Sequence, residues 1–429
     1  MFRRLMLAAL LLFAAPAAAA PVIQTPGDAL AQDAAAYAAL RSLPLDEALR
    51  RLRAQQESVA ATDALAAEFR DRLAGIAIEQ EPYRIVVLLT GIDPVAPRIV
   101  PAGGMTVPVI FRTGALATRA QLVAAIATHQ AEIRAALRRP PGIGVDPRSG
   151  QLVVMASPAD LVAEDAVALA DRMAAIAGVP VRIRVIGRPD LEPEQNMAGE
   201  VIGGARVIGV SPADGKRYAC TTGFAVTDGV RNGVVTAAHC PDELRYVDPA
   251  AGDVPLTFEG QWGWGYQDVQ LHTTTAAVAP LIYADTAKTV ARPVLAVERR
   301  DSTRAGDVVC HRGERTGYSC ATVELVDFAP AGDLCGGPCT PSWVTVAGPT
   351  CQAGDSGAPV FLGTTALGIV KGGSYRADGT CVFYFYMAAD YLPVGWSVLT
   401  GVPVEKRSIG IPPDAGTQGR GKAGVGAVR

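Results

Sequence analysis

Three short segments of the sequence contain side chains that could perform nucleophilic chemistry together. "VVTAAHC" contains His239, "GWGYQDVQLHTT" contains Asp268, and "CQAGDSGAPVF" contains Ser356. A serine hydroxyl is a poor nucleophile at neutral pH and needs a base to take its proton. Histidine can accept and return that proton, and a carboxylate can fix the tautomer of the imidazole. The chain order His, Asp, Ser is one of the known orders of a catalytic triad.

The glycines around the serine have a separate role in this interpretation. They allow the backbone N–H groups of Gly354 and Ser356 to turn toward one point, where an oxyanion would develop. Asp355 is adjacent to the serine, so its side chain is expected to face elsewhere. Each segment alone also fits a structural role, since a GDSG can be a turn, a histidine can be packed in a core and an aspartate can cap a turn. The joint order and the flanking cysteines favour the catalytic interpretation.

Length, composition and charge limit the function classes. The chain has 429 residues, 49% of them hydrophobic, and a net charge of −3. This length predicts two or three folded units, and the charge excludes the basic surface expected for a nucleic-acid partner. No apolar run after the N-terminus is long enough to predict a membrane span.

The N-terminus has the three-part pattern of a secretory signal peptide. "MFRRLMLAALLLFAAPAAAA" has two arginines, a short apolar stretch and small residues ending in A-x-A patterns. All eight cysteines lie between Cys220 and Cys381, and an even count in an exported chain predicts disulfides. We therefore expect a secreted protein, extracellular or periplasmic, with no membrane contact once the signal is cleaved.

The elements that must position the three side chains lie in the second half of the chain. The pattern over residues 21–199 predicts an α+β unit. The spacing of apolar residues is helical over 28–75, 118–139 and 158–178, and it indicates strands at 83–91, 105–112, 150–157 and 179–187. Residues 188–200 predict an exposed linker. Residues 200–401 alternate short strands with turns, as in an all-β domain, and a helical stretch is expected near 387–401. Residues 1–20 are assigned to the signal and 402–429 to a disordered Gly/Pro-rich tail.

Several motifs of the sequence resemble those of a known family. "TAAHC" and "GDSG" resemble the chymotrypsin-like serine proteases, and "VCHRGERTGYSC" (309–320) resembles a loop of the secreted bacterial branch, the alpha-lytic protease and streptogrisin type. The resemblance covers about residues 201–400. It implies a mainly β fold of two six-stranded antiparallel barrels with the triad between them. It also implies that the preceding α+β unit is a prodomain and that the mature protein begins near Glu200–Gly203.

The resemblance also implies how the cysteines pair. Three disulfides follow from the family motifs, and the two cysteines of "CGGPC" remain for a small local one, since a zinc site would need more ligands than two thiols. The expected pairs are Cys220–Cys240, Cys310–Cys320, Cys351–Cys381 and Cys335–Cys339. No metal and no cofactor are expected.

Two departures from the family pattern concern the site. The family holds the acid before the serine with an arginine from the disulfide loop, and Arg312 and Arg315 are both candidates here. The family also has a serine where this chain has Lys371 in "IVKGGS". The lysine could pair with Asp268, reach the pocket for the P1 side chain, or mark a lost activity. Strand alternation favours a direction toward Asp268.

These inferences predict a secreted serine endopeptidase that acts on proteins or peptides, is made as a zymogen, binds its own prodomain and is a monomer. The alternative is a catalytically silent, protease-like domain that binds peptides or proteins. "AGPTCQA", which precedes the nucleophile, has no acid for a basic P1 residue, so a large apolar P1 residue is expected, with Asp or Glu as the second choice. The expected substrate-binding residues are Thr350, Gln352, Val370, Lys371, Gly372 and Gly373.

Overall fold

The structure is a computed structural model of the chain. It describes residues 20–162, 164–186, 201–248, 252–332, 334–348, 350–376 and 378–401. The signal segment up to residue 19, the whole of the 188–200 linker and the 402–429 tail lie outside the described residues, so those assignments remain predictions. Among the residues that are described, no helix combines the length and apolar character needed to cross a bilayer.

The five α-helices of the described residues belong to the first half of the chain. They are α1 Pro26–Arg41, α2 Leu45–Glu57, α3 Val59–Glu68, α4 Arg119–Ala135 and α5 Ala166–Ala177. Local sequence explains where α1 and α4 begin: the Thr25 and Thr118 side chains each accept a bond from the backbone N–H three residues later, and Asp28 and Gln121 return a bond to the cap. This reciprocal pair satisfies two N–H groups that a helix start otherwise leaves free.

The described strands run through both halves of the chain. They are β1 Val22–Ile23, β2 Leu73–Gln80, β3 Tyr83–Thr90, β4 Arg98–Ala102, β5 Met105–Ala115, β6 Gly142–Asp146, β7 Gln151–Ala156, β8 Val181–Val185, β9 Val201–Gly203, β10 Arg206–Val210, β11 Arg217–Thr221, β12 Ala225–Thr227, β13 Asn232–Thr236, β14 Leu244–Asp248, β15 Gly252–Pro255, β16 Thr257–Trp262, β17 Val269–Thr273, β18 Val278–Tyr283, β19 Val290–Pro293, β20 Ala296–Val297, β21 Val308–Gly313, β22 Gly317–Ala329, β23 Trp343–Ala347, β24 Pro359–Leu362, β25 Thr365–Tyr375, β26 Cys381–Ala388 and β27 Ser397–Val398.

Six strands of the C-terminal region close into a barrel. Their order is β21-β24-β25-β26-β23-β22, and β22 pairs with β21 to complete the ring. The ring is filled by buried aromatic and branched side chains, among them Trp343, Phe361, Phe383 and Phe385. Closure removes the free sheet edges, so the barrel is a rigid support for the loops at its rim. The prediction of a mainly β fold with a six-stranded barrel is therefore confirmed.

Residues 201–293 form open sheets in the part of the chain that the structure describes. Strands β10, β11, β14 and β15 form one sheet, β12, β13, β16, β17 and β27 form another, and β9 pairs with β18. These pairings do not form a closed ring among the described residues. The second barrel thus stays a prediction.

The first half of the chain is joined directly to the C-terminal barrel. Strand β6 pairs antiparallel with β22, which makes β6, β7 and β8 an extension of the barrel sheet. At the chain start, β1 pairs parallel with β19. Tyr37 and Leu52, from α1 and α2, belong to the same apolar core as Phe361. The cysteine-free α+β segment is therefore packed into the core of the C-terminal region.

Two helix predictions need correction. The helix expected near 387–401 is absent from this described stretch: β26 runs to Ala388, a 3₁₀ turn covers Ala389–Tyr391, and β27 pairs with β12. Pro393 cannot supply the N–H that a continuous helix would need there. The helix expected over 158–178 is split into a 3₁₀ turn, Pro158–Leu161, and α5, because the Asp165 carboxylate accepts the N–H groups of Val167 and Ala168 and starts a new helix.

Candidate active site

The structure brings His239, Asp268 and Ser356 together between the sheet of β13 and β17 and the C-terminal barrel. His239 follows β13, Asp268 directly precedes β17, and Ser356 lies in the loop before β24. His239 Nε2 is 2.8 Å from Ser356 Oγ, and His239 Nδ1 is 2.9 Å from Asp268 Oδ2. The histidine side chain keeps 31% of its surface exposed, while the aspartate side chain is 2% exposed. A hydroxyl, an imidazole and a buried carboxylate thus form one hydrogen-bonded line, the arrangement that proton transfer from serine requires.

Asp268 has a second charged neighbour. Lys371 Nζ lies 3.2 Å from Asp268 Oδ1, and both side chains are buried. Burial by itself disfavours the carboxylate, but the charges of His239 and Lys371 outweigh it and lower the pKa of Asp268 to about 2. The aspartate is therefore ionised throughout the neutral range.

The Ser356 loop is held by glycine conformations and by one threonine. Gly354 has φ +101° and Gly357 has φ +86°, values that favour glycine. Thr221 makes two hydrogen bonds to the loop. Its N–H donates to the Ser356 carbonyl at 2.8 Å, and its hydroxyl donates to the Gly354 carbonyl at 2.8 Å. With both carbonyls bonded to Thr221, the peptide units before and after the one that carries the Ser356 N–H are fixed in direction, which limits how that N–H can turn.

The partner of Asp355 differs from the one expected. Its Oδ1 accepts the backbone N–H groups of Arg315 (3.0 Å) and Thr316 (3.1 Å), and its Oδ2 accepts the Thr316 hydroxyl (2.8 Å) and the Gln352 N–H (3.0 Å). The carboxylate can enter this hairpin because residue 313 is glycine: a Cβ there would lie 2.0 Å from Asp355 Oδ1. Backbone donors of the disulfide loop thus take the place of a guanidinium.

Both arginine candidates for this carboxylate are used elsewhere. The Arg312 guanidinium donates to the carbonyl oxygens of Gly204, Asp285 and Thr286. Arg315 Nε donates to Gln352 Oε1 at 3.1 Å. The expectation that one of these side chains pairs with Asp355 is therefore wrong.

A cavity of about 350 Å³ opens beside Ser356. Five of the six predicted substrate-binding residues line it: Gln352, Val370, Lys371, Gly372 and Gly373. Three large side chains that sequence reasoning missed also line it, namely Leu334, Tyr375 and Phe385. They follow no motif, and their position depends on how β25, β26 and the "CGGPC" loop pack.

Thr350 is the predicted substrate-binding residue that does not line this cavity. Its hydroxyl lies 2.8 Å from the Ser319 hydroxyl, on the neighbouring strand β22. Among the described residues, the one acid that lines the cavity is Asp355, and both of its oxygens are already bonded to the disulfide loop. The cavity is thus apolar on its walls and offers no free carboxylate from the described residues.

A second cavity, of about 420 Å³, lies on the other side of the serine. It shares His239 and Ser356 with the first cavity, and it is also lined by Gly354, Tyr218 and Gln261. An extended chain could therefore approach Ser356 with residues on both sides of the reacting bond.

The four disulfides have the expected pairing. The structure joins Cys220–Cys240, Cys310–Cys320, Cys335–Cys339 and Cys351–Cys381. One bond follows His239 directly, and another closes the segment just before the Ser356 loop. Asp33 lies close to the sulfurs of Cys310 and Cys320, but disulfide sulfurs are not thiolates, so this group does not fit a metal ion.

No family model matches this chain. Streptogrisin-C of Streptomyces griseus is 29% identical over 177 residues, which is 39% of this chain and 35% of that protein. The chain thus spans about a third of the length of this relative.

Solved structures with low identity were also found. Protease A of Thermobifida fusca is 22% identical, with a TM-score of 0.37 over 47% of this chain and 100% of that one. A chymotrypsin of Cellulomonas bogoriensis is 22% identical, with a TM-score of 0.36 over 47% and 100%. The streptogrisin match agrees with the "TAAHC" and "GDSG" motifs. Over the matched residues, this chain is similar to the bacterial chymotrypsin-like serine proteases.

Proposed function

We propose that the protein is a secreted serine endopeptidase in which Ser356 is the nucleophile, His239 the base and Asp268 the residue that orients the base. The observation that carries this proposal is the unbroken line of contacts from Ser356 Oγ through His239 to Asp268, with distances of 2.8 and 2.9 Å. The match to streptogrisin-C supports the same reaction class. A binding domain would have no need for a hydroxyl, an imidazole and a buried carboxylate in this order.

The proposed reaction passes through an acyl-enzyme. Ser356 Oγ attacks the carbonyl carbon of the peptide bond while its proton moves to His239 Nε2. The oxyanion is held by the N–H groups of Gly354 and Ser356. The C–N bond then breaks, His239 gives its proton to the leaving amine, and the acyl group stays on Ser356. A water molecule, deprotonated by His239, attacks the ester and releases the acid product and the free serine.

The two cavities support cleavage within a chain. The apolar cavity beside Ser356 would take the side chain on the acyl side of the bond, and a volume of about 350 Å³ with glycines in its wall admits a large residue. The cavity of about 420 Å³ would take residues of the leaving group. We therefore expect protein or peptide substrates with a large apolar P1 residue.

The same proposal includes a zymogen. Residues 21–199 would act as a prodomain that assists folding and is released from the precursor by self-cleavage near Glu200–Gly203. A barrel that is closed by pairings between distant strands is expected to fold slowly, and the intimate packing of α1, α2 and β6 on it supports an assisting role. The signal-like N-terminus and the four disulfides support export.

The test compares the parent with Ser356→Ala, expressed from the full-length gene. The parent should yield a mature protein whose N-terminus lies near Glu200–Gly203, should digest casein and should be labelled by an organophosphonate. Ser356→Ala should stay full-length and unlabelled, with turnover lower by several orders of magnitude. Equal digestion by the two proteins would refute the assignment of Ser356. A parent that neither digests casein nor takes up the label would favour a silent binding domain.

A further inference from the structure

Lys371 is the one buried lysine among the described residues, and its ammonium group contacts the candidate active site. Its Nζ is 3.2 Å from Asp268 Oδ1 and lies over the Trp343 ring, 5.2 Å from the ring centroid. Its side chain is 5% exposed. A buried ammonium group is costly unless it is paired, so this position requires Asp268 to be ionised.

The backbone explains why the side chain points to Asp268. Strand β25 pairs with β26 through Val370–Tyr386 and Gly372–Phe385, which leaves Lys371 without a partner, at a bulge. A bulge redirects the side chain of the extra residue and is common beside active sites. The Lys371 side chain therefore leaves the strand beside the apolar cavity, and its ammonium group lies beside Oδ1 of Asp268.

Two different groups contact the Asp268 carboxylate. His239 Nδ1 lies 2.9 Å from Oδ2 and 3.2 Å from Oδ1, and Lys371 Nζ lies 3.2 Å from Oδ1. The sulfur of Met387, on β26, accepts the Asp268 N–H at 3.4 Å and is uncharged. The titratable groups that face the carboxylate are therefore the imidazole of His239 and the amino group of Lys371.

We infer that Lys371 is a positioning residue that fixes Asp268 and neutralises part of its charge, which extends the activity of the His239–Ser356 pair to lower pH. This inference rests on the proposed function. An aspartate with no other charged neighbour attracts a proton to the adjacent imidazole, and a cation beside the carboxylate weakens that attraction. With Lys371 present, the imidazole stays free of its extra proton, and able to act as a base, further into the acid range.

The experiment separates the charge of Lys371 from its hydrogen bond. In Lys371→Met both are lost, whereas in Lys371→Ser a hydroxyl can still donate to Asp268. We expect the acid limb of the kcat/KM profile for a Phe-P1 peptide to move up by about one pH unit in both variants. The plateau should fall further in the Met variant than in the Ser variant, with KM nearly unchanged. Lys216→Met, which removes a lysine whose side chain is 71% exposed, is the matched control and should follow the parent.

A measurement that does not require catalytic turnover makes this test independent of the proposed function. In the Ser356→Ala background, the downfield proton NMR signal of the His239 Nδ1–H reports protonation of the ring directly. It should titrate about one pH unit higher when Lys371 is Met. Coincident titrations with and without the lysine would overturn the inference, even if the protein is a protease. Unchanged acid limbs together with an altered P1 preference would assign Lys371 to the substrate cavity instead.

Discussion

Asp33, on helix α1, and Arg292, on strand β19, form an ion pair in which both side chains have no exposed surface. The Arg292 NH1 group donates to both Asp33 oxygens at 2.9 Å, and Asp33 also accepts the Tyr318 hydroxyl at 2.7 Å and the Gly363 N–H at 2.6 Å. The guanidinium lies over the Phe361 ring, 4.8 Å from its centroid. An aspartate near the chain start thus completes a polar cluster inside the C-terminal half, so the two halves depend on each other for burial of this charge.

Removing one partner of this pair should be costly. Asp33→Ala leaves the Arg292 cation buried and unpaired, for which we expect a loss of about 3–5 kcal/mol in the free energy of unfolding. Thermal unfolding of the uncleaved precursor in the Ser356→Ala background measures it. Asp46→Ala is the control, because it breaks an exposed pair with Arg50 and should cost under about 1 kcal/mol. Similar losses in the two variants would contradict the proposed dependence.

Asp355 should influence turnover rather than substrate binding. Its four hydrogen bonds fix the direction of the Asp355 side chain and so restrain the adjacent peptide unit, which carries the Ser356 N–H assigned to the oxyanion. We expect Asp355→Ala to lower kcat about 100-fold or more while KM changes little. Steady-state kinetics on one peptide substrate measure both constants. Asp378→Ala, which removes an acid that bonds Thr380 on the surface, should leave kcat unchanged. A large rise in KM with kcat preserved would argue against a role in the oxyanion site.

The sequence predicted the reacting residues better than their surroundings. The types and order of His239, Asp268 and Ser356 follow from chemistry, and the structure places them in contact. The direction of Lys371 also followed from strand alternation, although a bulge turned out to set it. The hydrogen-bond donors to Asp355 could not be predicted, because every residue except proline has a backbone N–H and the sequence does not show which of them lie near the carboxylate.

Elements whose form depends on tertiary contacts were also missed. Residues 387–401 have apolar spacing that favours a helix, but β26 continues to Ala388 because its neighbours β23 and β25 pair with it. The pairing of β6 with β22 was also missed, because it joins into one sheet two segments that lie about 180 residues apart in the chain. Local pattern contains no information on such partners.

His272 should make the fold sensitive to acid. The side chain has no exposed surface, and burial lowers its pKa to about 4, so the folded protein holds it neutral. An unfolded chain binds a proton there near pH 6.5, so stability that is present above that pH is lost as the pH falls toward 4. Between pH 7 and pH 5 this group alone should cost about 2 kcal/mol.

The measurement for His272 is the unfolding midpoint as a function of pH in the Ser356→Ala precursor. His272→Gln should flatten the decline between pH 7 and pH 5, because no group remains at this position to take up a proton on unfolding. His129→Gln, which changes a partly exposed histidine on α4, should leave the slope as in the parent. Parallel curves for parent and His272→Gln would show that His272 does not contribute to acid sensitivity.

The last prediction concerns P1 specificity. In peptides that differ only at P1, we expect Phe and Leu to exceed Glu and Arg, since the cavity wall is apolar and the Lys371 ammonium is engaged by Asp268. A Cβ on Gly372 would make only an ordinary contact with Phe385, at 3.6 Å, so Gly372→Val should fold and project its methyl groups into the cavity.

In Gly372→Val, kcat/KM for the Phe peptide should fall about 100-fold, while a peptide with Ala at P1 should be cleaved as well as by the parent. The loss reflects the steric exclusion of a ring whose burial is worth about 1.5–3 kcal/mol. The Ala peptide is the internal control, because it shows that the catalytic residues still work. If the parent prefers Glu at P1 and Lys371→Ser abolishes that preference, the Lys371 ammonium group binds the P1 carboxylate instead. Preference for Arg would exclude the apolar cavity as the P1 site.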